Sequence, residues 1–345
     1  MKADRKELLG ILKAVKPSVP KSGDDADIVN TVIFTGTDVV AFARDGFIAW
    51  PFTTDFQAAM PINELIKLLT SKAEEVTLDL AKGMLSVTGK GMRAGLKIPV
   101  ISHLMADVKG LMSIVEGEPW YGLPDDFIQG LSLCMNIADK GSAWDHRRNV
   151  HITSERITAS SGARVAEYVF AEAMGIPGVT LLSVENSKRL VKLKKENVNR
   201  YRLDGNWLVF LTESDVVMGA KVLYDLPLDP IADIFQKAEA ESKTYTLPDG
   251  VADQVPLAKI MASNSPYVSV SLEKGKVVLT GDGVRGWSEA VLDDPDFAPE
   301  PEVVFSINAE FLIEVLGYTS NEVRLSATMA IFAQENYRHV IALVR

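Results

Sequence analysis

"AMPINELIKLLTSKAEEVTLDLAKGMLSVTGKGMRAGLKI" (Ala59–Ile98) decides the fold. It reads as a short strand, a helix of about ten residues, and three strands of alternating apolar and polar residues. Turn residues such as Ala81-Lys82-Gly83 punctuate the strands at hairpin spacing. The plan returns in "LLSVENSKRLVKLKKENVNRYRLDGNWLVFLTESDVVMGAKV" (Leu181–Val222) and in "VFSINAEFLIEVLGYTSNEVRLSATMAIFAQENYRHVIALV" (Val304–Val344). The strand after each helix begins near Val76, Val198 and Val323, at spacings of 122 and 125 residues. Asn63 and Asn308 fall at equivalent helix starts, where a side-chain oxygen can cap free backbone N–H groups.

Three further units share the plan. They open with "DRKELLGILKAVK" at Asp4, "LPDDFIQGLSLCMNIADKG" at Leu123 and "LPDGVADQVPLAKIMAS" at Leu247. Repetition at a fixed period is read before anything else, because it sets the architecture. Six helix-plus-three-strand units pair into three domains, expected at 1–118, 119–243 and 244–345. The Pro-, Asp- and Glu-rich stretches 100–119 and 224–243 are read as linkers. The helices are too short and one-sided for a bundle, so they cover one face of antiparallel sheets in an α+β fold.

Composition bounds the function. The 345 residues are 47% apolar and 24% charged, as in an ordinary globular protein. No apolar run reaches the ~18–20 residues needed to span a bilayer. The N-terminal "MKADRKELLG" lacks a secretory apolar core, and the lone Cys134 has no partner for an internal disulfide. A cytoplasmic protein is expected, without a membrane partner.

Tests for chemistry return nothing. "GMLSVTGKG" (Gly83–Gly91) has five residues between its first two glycines where a phosphate loop has four, and no Ser or Thr follows Lys90. His103, His146, His151 and His339 are scattered, without metal-ligand spacing, and Cys134 lies in a helical apolar pattern. Asp293, Asp294 and Asp296 sit among prolines and read as a solvated loop. No nucleophile motif or dinucleotide fingerprint is present, so neither a catalytic site nor a cofactor or metal is expected.

One segment departs from the acidic whole. Val184–Arg202, "VENSKRLVKLKKENVNRYR", carries seven basic residues against Glu185 and Glu196, a balance of +5 in a chain of net charge −10. On a helix, Lys188, Lys192 and Lys195 share one face, with Leu190, Val191 and Leu193 opposite. Lys2, Lys6 and Lys13 repeat the pattern around the first helix, and His146-Arg147-Arg148 adds charge in a loop.

With these residues in view the chain resembles, over essentially its whole length, the bacterial sliding clamps, the beta subunits of DNA polymerase III. The matching stretches are "PINELIKLLTSKAEEVTLDLAKGMLSVTGKGMRAGLKI", "ASSGARVA" (159–166) and the C-terminal "HVIALVR". The resemblance implies a three-domain clamp fold whose helices line a ring and whose sheets form its outer wall. It implies a non-catalytic processivity factor that holds duplex DNA without reading its sequence. The DNA-facing residues would be Lys2, Lys6, Lys13, Arg147, Arg148, Lys188, Arg189, Lys192 and Lys195. Polymerase and clamp loader would dock by short peptides in a cleft formed by Ser160, Gly162, Arg164, Val165, Pro227, Ile231, Val340, Ala342 and Leu343. Two copies would close head to tail through Arg93, Leu96, Ile98, Ile260, Met261 and Trp287.

Departures from the family pattern accompany the likeness. The family's cleft motif commonly reads Ala-Thr-Asp-Gly-x-Arg-Leu-Ala; here it is Ala159-Ser160-Ser161-Gly162-Ala163-Arg164-Val165-Ala166. The sixth helix carries Glu310 and Glu314 and no base, and the fifth only Lys259, so the positive lining is uneven. Such divergence suits a mobile-element or viral copy. Two other readings stay open from sequence: a clamp-fold binding or assembly protein that never encircles DNA, and a hydrolase with unrecognised carboxylates.

Overall fold

Six times along the chain a strand leads into a helix and the helix into three strands. The computed structural model describes residues 1–20, 28–70, 74–98, 102–117, 119–143, 145–224, 231–262 and 265–344. Repeat 1 is strand Lys2–Asp4, helix α1 (Arg5–Val15) and strands Thr31–Phe34, Asp38–Ala43 and Gly46–Pro51. Repeat 2 is Ala58–Pro61, α2 (Ile62–Leu69), Glu75–Ala81, Met84–Gly89 and Met92–Lys97, followed by helix α3 (Ser102–Val115). Repeat 3 is Tyr121–Gly122, α4 (Phe127–Cys134), the single turn α5 (Asp145–Arg148), then Asn149–Ile152, Arg156–Ser160 and Arg164–Val169. Repeat 4 is Thr180–Ser183, α6 (Val184–Lys192), Val198–Asp204, Trp207–Thr212 and Val217–Tyr224, followed by helix α7 (Ile231–Ala240). Repeat 5 is Lys243–Thr246, α8 (Val251–Lys259), Tyr267–Glu273, Lys276–Gly283 and Gly286–Asp293. Repeat 6 is Val303–Asn308, α9 (Ala309–Leu316), Glu322–Leu325, Met329–Gln334 and Tyr337–Ala342.

The described residues gather into two compact units. One comprises Met1–Ser132 and Glu172–Asp225, and holds repeats 1, 2 and 4; the other comprises Leu133–Ala171 and Leu226–Arg345, and holds most of repeat 3 with repeats 5 and 6. In the first unit the third strands of repeats 1 and 4 pair antiparallel, with Ala49 opposite Val217 and Gly46 opposite Ala220. In the second, the third strands of repeats 3 and 6 pair from Arg164 opposite Ile341 to Tyr168 opposite Tyr337. Repeats 1 and 3 thus each join the repeat three places along. Among the described residues the third strands of repeats 2 and 5, Met92–Lys97 and Gly286–Asp293, end their four-stranded sheets.

The two stretches read as linkers each contain a helix. In α3, Leu104 and Val108 are buried against Phe47, Val209 and Val217, over the junction of repeats 1 and 4. In α7, Ile231, Phe235 and Ala238 pack on Val165, Ile331 and Val340, over the junction of repeats 3 and 6. Apolar residues at i, i+4 and i+7 make a helix stripe that outweighs the flanking Pro and Asp.

Two local expectations also change. Asn308 caps α9, its Oδ1 accepting from Glu310 N at 2.9 Å. Asn63 does not cap α2, whose N-cap residue is Pro61. A proline side chain has no acceptor, so Asn30 supplies one, its Oδ1 accepting from Asn63 N at 3.1 Å. Lys2 lies in a strand opposite Thr77 and not on α1, because Asp4 caps the helix start behind it.

Candidate nucleic-acid interface and peptide cleft

The basic helix α6 begins at a Ser183 cap and runs to Lys192, then tightens into a 3-10 turn over Leu193–Glu196. Val184, Leu190 and Leu193 are buried. Lys192, Lys194 and Lys195 are exposed and Lys188 is half-buried. Three residues of a 3-10 turn make one full turn, so Lys195 stays on the face of Lys192 despite the change of helix. On α1, Lys6 and Lys13 are exposed beside buried Leu8, Ile11, Leu12 and Val15, and Lys2 is exposed on its strand. An open cavity of about 480 Å³ brings Lys13 and Lys16 of repeat 1 to Lys192 of repeat 4, with Asn30, Asn63 and Glu185 on its wall. Lysines from two repeats far apart in sequence therefore share one surface.

Arg189 behaves differently from its lysine neighbours. Its side chain is only 12% exposed, and Nη1 lies 3.3 Å from the Asp45 carboxylate. It also donates to Asn186 Oδ1 at 2.6 Å and, through Nε, to Pro17 O at 3.1 Å. Its charge fastens repeat 4 to repeat 1 and does not project as a free cation. Arg148 is exposed and Arg147 half-buried; the Arg147 guanidinium lies against Gly162, where a Cβ would stand 2.9 Å from Nη1. Gly162 has φ +78°, a conformation glycine adopts without strain. On repeats 5 and 6 the uneven charge is resolved internally: Lys259 Nζ meets Glu310 at 2.6 Å.

The cleft residues separate into groups. Val165, Ile231 and Val340 form one apolar cluster with Phe235, Ala238 and Ile331. Arg164, expected to face a ligand carboxylate, turns to α9 instead. Its Nη1 is 2.5 Å from Glu314, its Nη2 donates to Asn136 O at 2.8 Å, and its guanidinium stacks 4.0 Å over the Phe311 ring. Burial and a carboxylate on α9 outcompete solvent for that cation. Ser160 is buried, Ala342 is exposed, and Leu343 packs on the core of repeats 5 and 6. Pro227 lies outside the described residues. The sequence reading missed the α7 residues Ile234, Phe235 and Ala238, and also Arg338. Arg338 lies over the Phe235 ring at 4.6 Å and pairs with Glu167 at 2.5 Å and Glu239 at 2.7 Å. The i, i+3, i+4, i+7 spacing from Ile231 was the available signal.

Titratable groups here serve packing. Burial pushes the Cys134 thiol up, with the Glu167 charge adding to it. Burial, and second the Arg164 charge, push His339 down to about 3 from an ordinary 6.5. The unfolded chain therefore takes up a proton near pH 6.5 that the folded chain refuses until about pH 3. The neutral imidazole's stabilisation is complete above pH 6.5 and erodes as pH falls toward 3, by at most about 1.4 kcal/mol per pH unit. Denaturant midpoints of wild type and His339→Gln between pH 7 and 4 test this. The wild-type curve is expected to fall more steeply; parallel curves would assign the acid loss to other groups.

The residues expected at a subunit interface are at edges. Arg93 is exposed, and Leu96 and Ile98 are half-buried along the edge strand. Ile260 is 64% exposed, Trp287 65% and Met261 37%.

No family model matches the chain, and no curated protein sequence matches it. Solved structures do. The Pseudomonas aeruginosa DNA polymerase sliding clamp superposes with a TM-score of 0.79 at 13% identity, covering 100% of this chain and 99% of that one. The Bartonella birtlesii sliding clamp, DNA polymerase III subunit beta, bound to griselimycin, gives 0.80 at 16% with the same coverage. The Helicobacter pylori beta clamp bound to a DNA ligase peptide gives 0.77 at 12%, again with that coverage. Over its full length the chain has the fold of the bacterial DNA polymerase III beta sliding clamps.

Proposed function

We propose that this protein is a DNA polymerase processivity factor, a non-catalytic sliding clamp that encircles duplex DNA as a homodimeric ring. The carrying observation is the shared surface of Lys13, Lys16 and Lys192 within a full-length clamp fold. Mobile lysines make exchangeable, sequence-independent contacts with phosphates, which a sliding protein needs. Lys2, Lys6, Lys188, Lys195, Arg147 and Arg148 are further DNA-facing candidates in this reading. Arg189 contributes by fixing α6 and not by touching DNA. The division into three domains, 1–118, 119–243 and 244–345, and a cytoplasmic site of action belong to the same reading.

Ring closure follows from the pairing of repeats. Repeats 1 with 4 and 3 with 6 join within the chain, which leaves the third strands of 2 and 5 for another copy. A head-to-tail dimer on a two-fold axis satisfies both edges at once. Exposed Trp287 on the edge strand and exposed Ile260 at the end of α8 support this, since large exposed apolar side chains invite a partner.

DNA polymerase and clamp loader dock by short peptides, as a DNA ligase peptide does on the H. pylori clamp. The apolar wall is Val165, Ile231 and Val340, with Ser160, Gly162, Pro227, Ala342 and Leu343 around it; Arg164 holds the wall to α9. The reading in which the protein never encircles DNA draws on the Lys259–Glu310 pair, which leaves α8 without a free base.

A retention experiment separates the two. Loaded on a nicked circular duplex, the protein is expected to remain through gel filtration and to run off once the circle is cut. Equal retention on cut and closed circles would reject encirclement.

A further inference from the structure

The third strands of repeats 2 and 5 end their sheets, and the two junctions already closed dictate how they meet. We propose that Met92–Lys97 of one copy pairs with Gly286–Asp293 of a second copy in a single register, which sets Arg93 opposite Glu289 and Gly95 opposite Trp287. This rests on the ring-dimer reading above and specifies its contact.

The closed junctions obey one rule. Each third strand begins after the innermost pair of its hairpin: Ala43 with Gly46 in repeat 1, Ser161 with Arg164 in repeat 3, Thr212 with Val216 in repeat 4, and Gln334 with Tyr337 in repeat 6. The carbonyl just before that start accepts the N–H five places past the start of the partner strand. Lys221 N donates to Asp45 O at 2.8 Å, Ala342 N to Ala163 O at 2.8 Å, and Val169 N to Asn336 O at 2.9 Å. The fourth such bond would need an N–H on Pro51, and proline has none. Repeat 2 starts after Gly89 opposite Met92, and repeat 5 after Gly283 opposite Gly286. The rule then joins Val291 N to Gly91 O, and Lys97 N to Arg285 O.

Three independent features agree with that register. The first is the face of each residue. Arg93, Gly95 and Lys97 are exposed and alternate with half-buried Met92, Ala94 and Leu96; Trp287, Glu289 and Val291 are exposed and alternate with the more buried Gly286, Ser288 and Ala290. A one-residue slip would set Arg93 against Ser288 and mismatch every face. The second is shape. At the same two positions of the repeat 1–4 junction, Gly219 lies opposite Phe47, and a Cβ on Gly219 would stand 2.1 Å from the ring. Gly95 likewise has no Cβ, and only the exposed, flexible Met84 side chain, its Sδ 2.9 Å from where a Cβ would stand, has to shift for Trp287 to take that space. The third is charge. At the same two positions of the repeat 3–6 junction, Glu167 lies opposite Arg338, 2.5 Å apart, as Glu289 would face Arg93. Slips of two residues keep the faces but place Arg93 opposite Trp287 or Val291 and lose both matches. The like-charged Lys97 and Arg285 meet at the end of the ladder, in solvent.

Cysteine cross-linking tests the register. Directly opposed residues in an antiparallel ladder have Cα atoms about 5.5 Å apart or closer, within disulfide reach. The Arg93→Cys/Glu289→Cys protein, oxidised in a glutathione buffer, is expected to run as a covalent dimer on a denaturing gel. Arg93→Cys/Trp287→Cys and Arg93→Cys/Val291→Cys are expected to link several-fold less. Cys134 is buried, so wild type gives the uncrosslinked baseline. Stronger linking through 287 or 291, in a protein that sediments as a dimer, would overturn the register and leave the ring standing. Wild type sedimenting only as a monomer at micromolar concentration would overturn the ring and the register together. Arg93→Glu is expected to weaken the dimer several-fold and Glu289→Arg to restore it; failure of that rescue would count against the charge pair.

Discussion

Phe235→Ala will destabilise the protein by about 3–5 kcal/mol, the range for removing a fully buried aromatic side chain. Phe235 is 1% exposed and lies at the centre of the α7 contact with Val165, Ile331 and Val340. The truncation removes the ring, opens a cavity and withdraws the surface over which Arg338 is stacked. Loss should concentrate in α7 and in the strands it covers, Arg164–Val169 and Tyr337–Ala342. Urea melts give the magnitude, and hydrogen exchange gives the place. Phe235→Leu keeps most of the volume and should lose far less. A Phe235→Ala protein within about 1 kcal/mol of wild type would mean that α7 does not hold this face. The result bears on partner docking, because Val165 and Val340 form both the apolar wall of the proposed cleft and the floor beneath α7.

The second large effect is on DNA. Reversing Lys13, Lys192 and Lys195 to Glu is expected to abolish the weak, salt-sensitive binding to short linear duplex and to leave stability nearly unchanged. All three are exposed, and substitutions at such positions usually change stability by no more than about 0.5 kcal/mol. The slope of log affinity against log salt should flatten by about 0.9 for each phosphate that is no longer neutralised. The same reversal at Lys82, Lys237 and Lys243, also exposed, is expected to leave that slope nearly unchanged. Equal losses from both triple variants would show that net charge, and not the α1–α6 surface, governs binding.

The amino-acid sequence by itself determined the repeat. Alternation of period 2 and stripes of period 3.6 are local properties, and they placed six helices and their strands with little ambiguity. The stripe in α7 obeys the same rule; the flanking prolines and acids masked it. The lysine surface was legible too, because long cations on a helix face reach solvent wherever the helix goes.

Tertiary structure decided which charges remain available. Arg164 and Arg189 stand in sequence among apparent ligand-facing cations, and each is held internally by a carboxylate. Those carboxylates, Glu314 and Asp45, lie 150 and 144 residues away. No local pattern reports such a pairing, because desolvating an arginine becomes tolerable only when folding brings its acceptors to it. The cap of α2 by Asn30 and the joining of repeat 1 to repeat 4 and of repeat 3 to repeat 6 are of the same kind. Hydrogen bonds and strand edges are satisfied by proximity in space, and along the chain the partners carry no mark of each other.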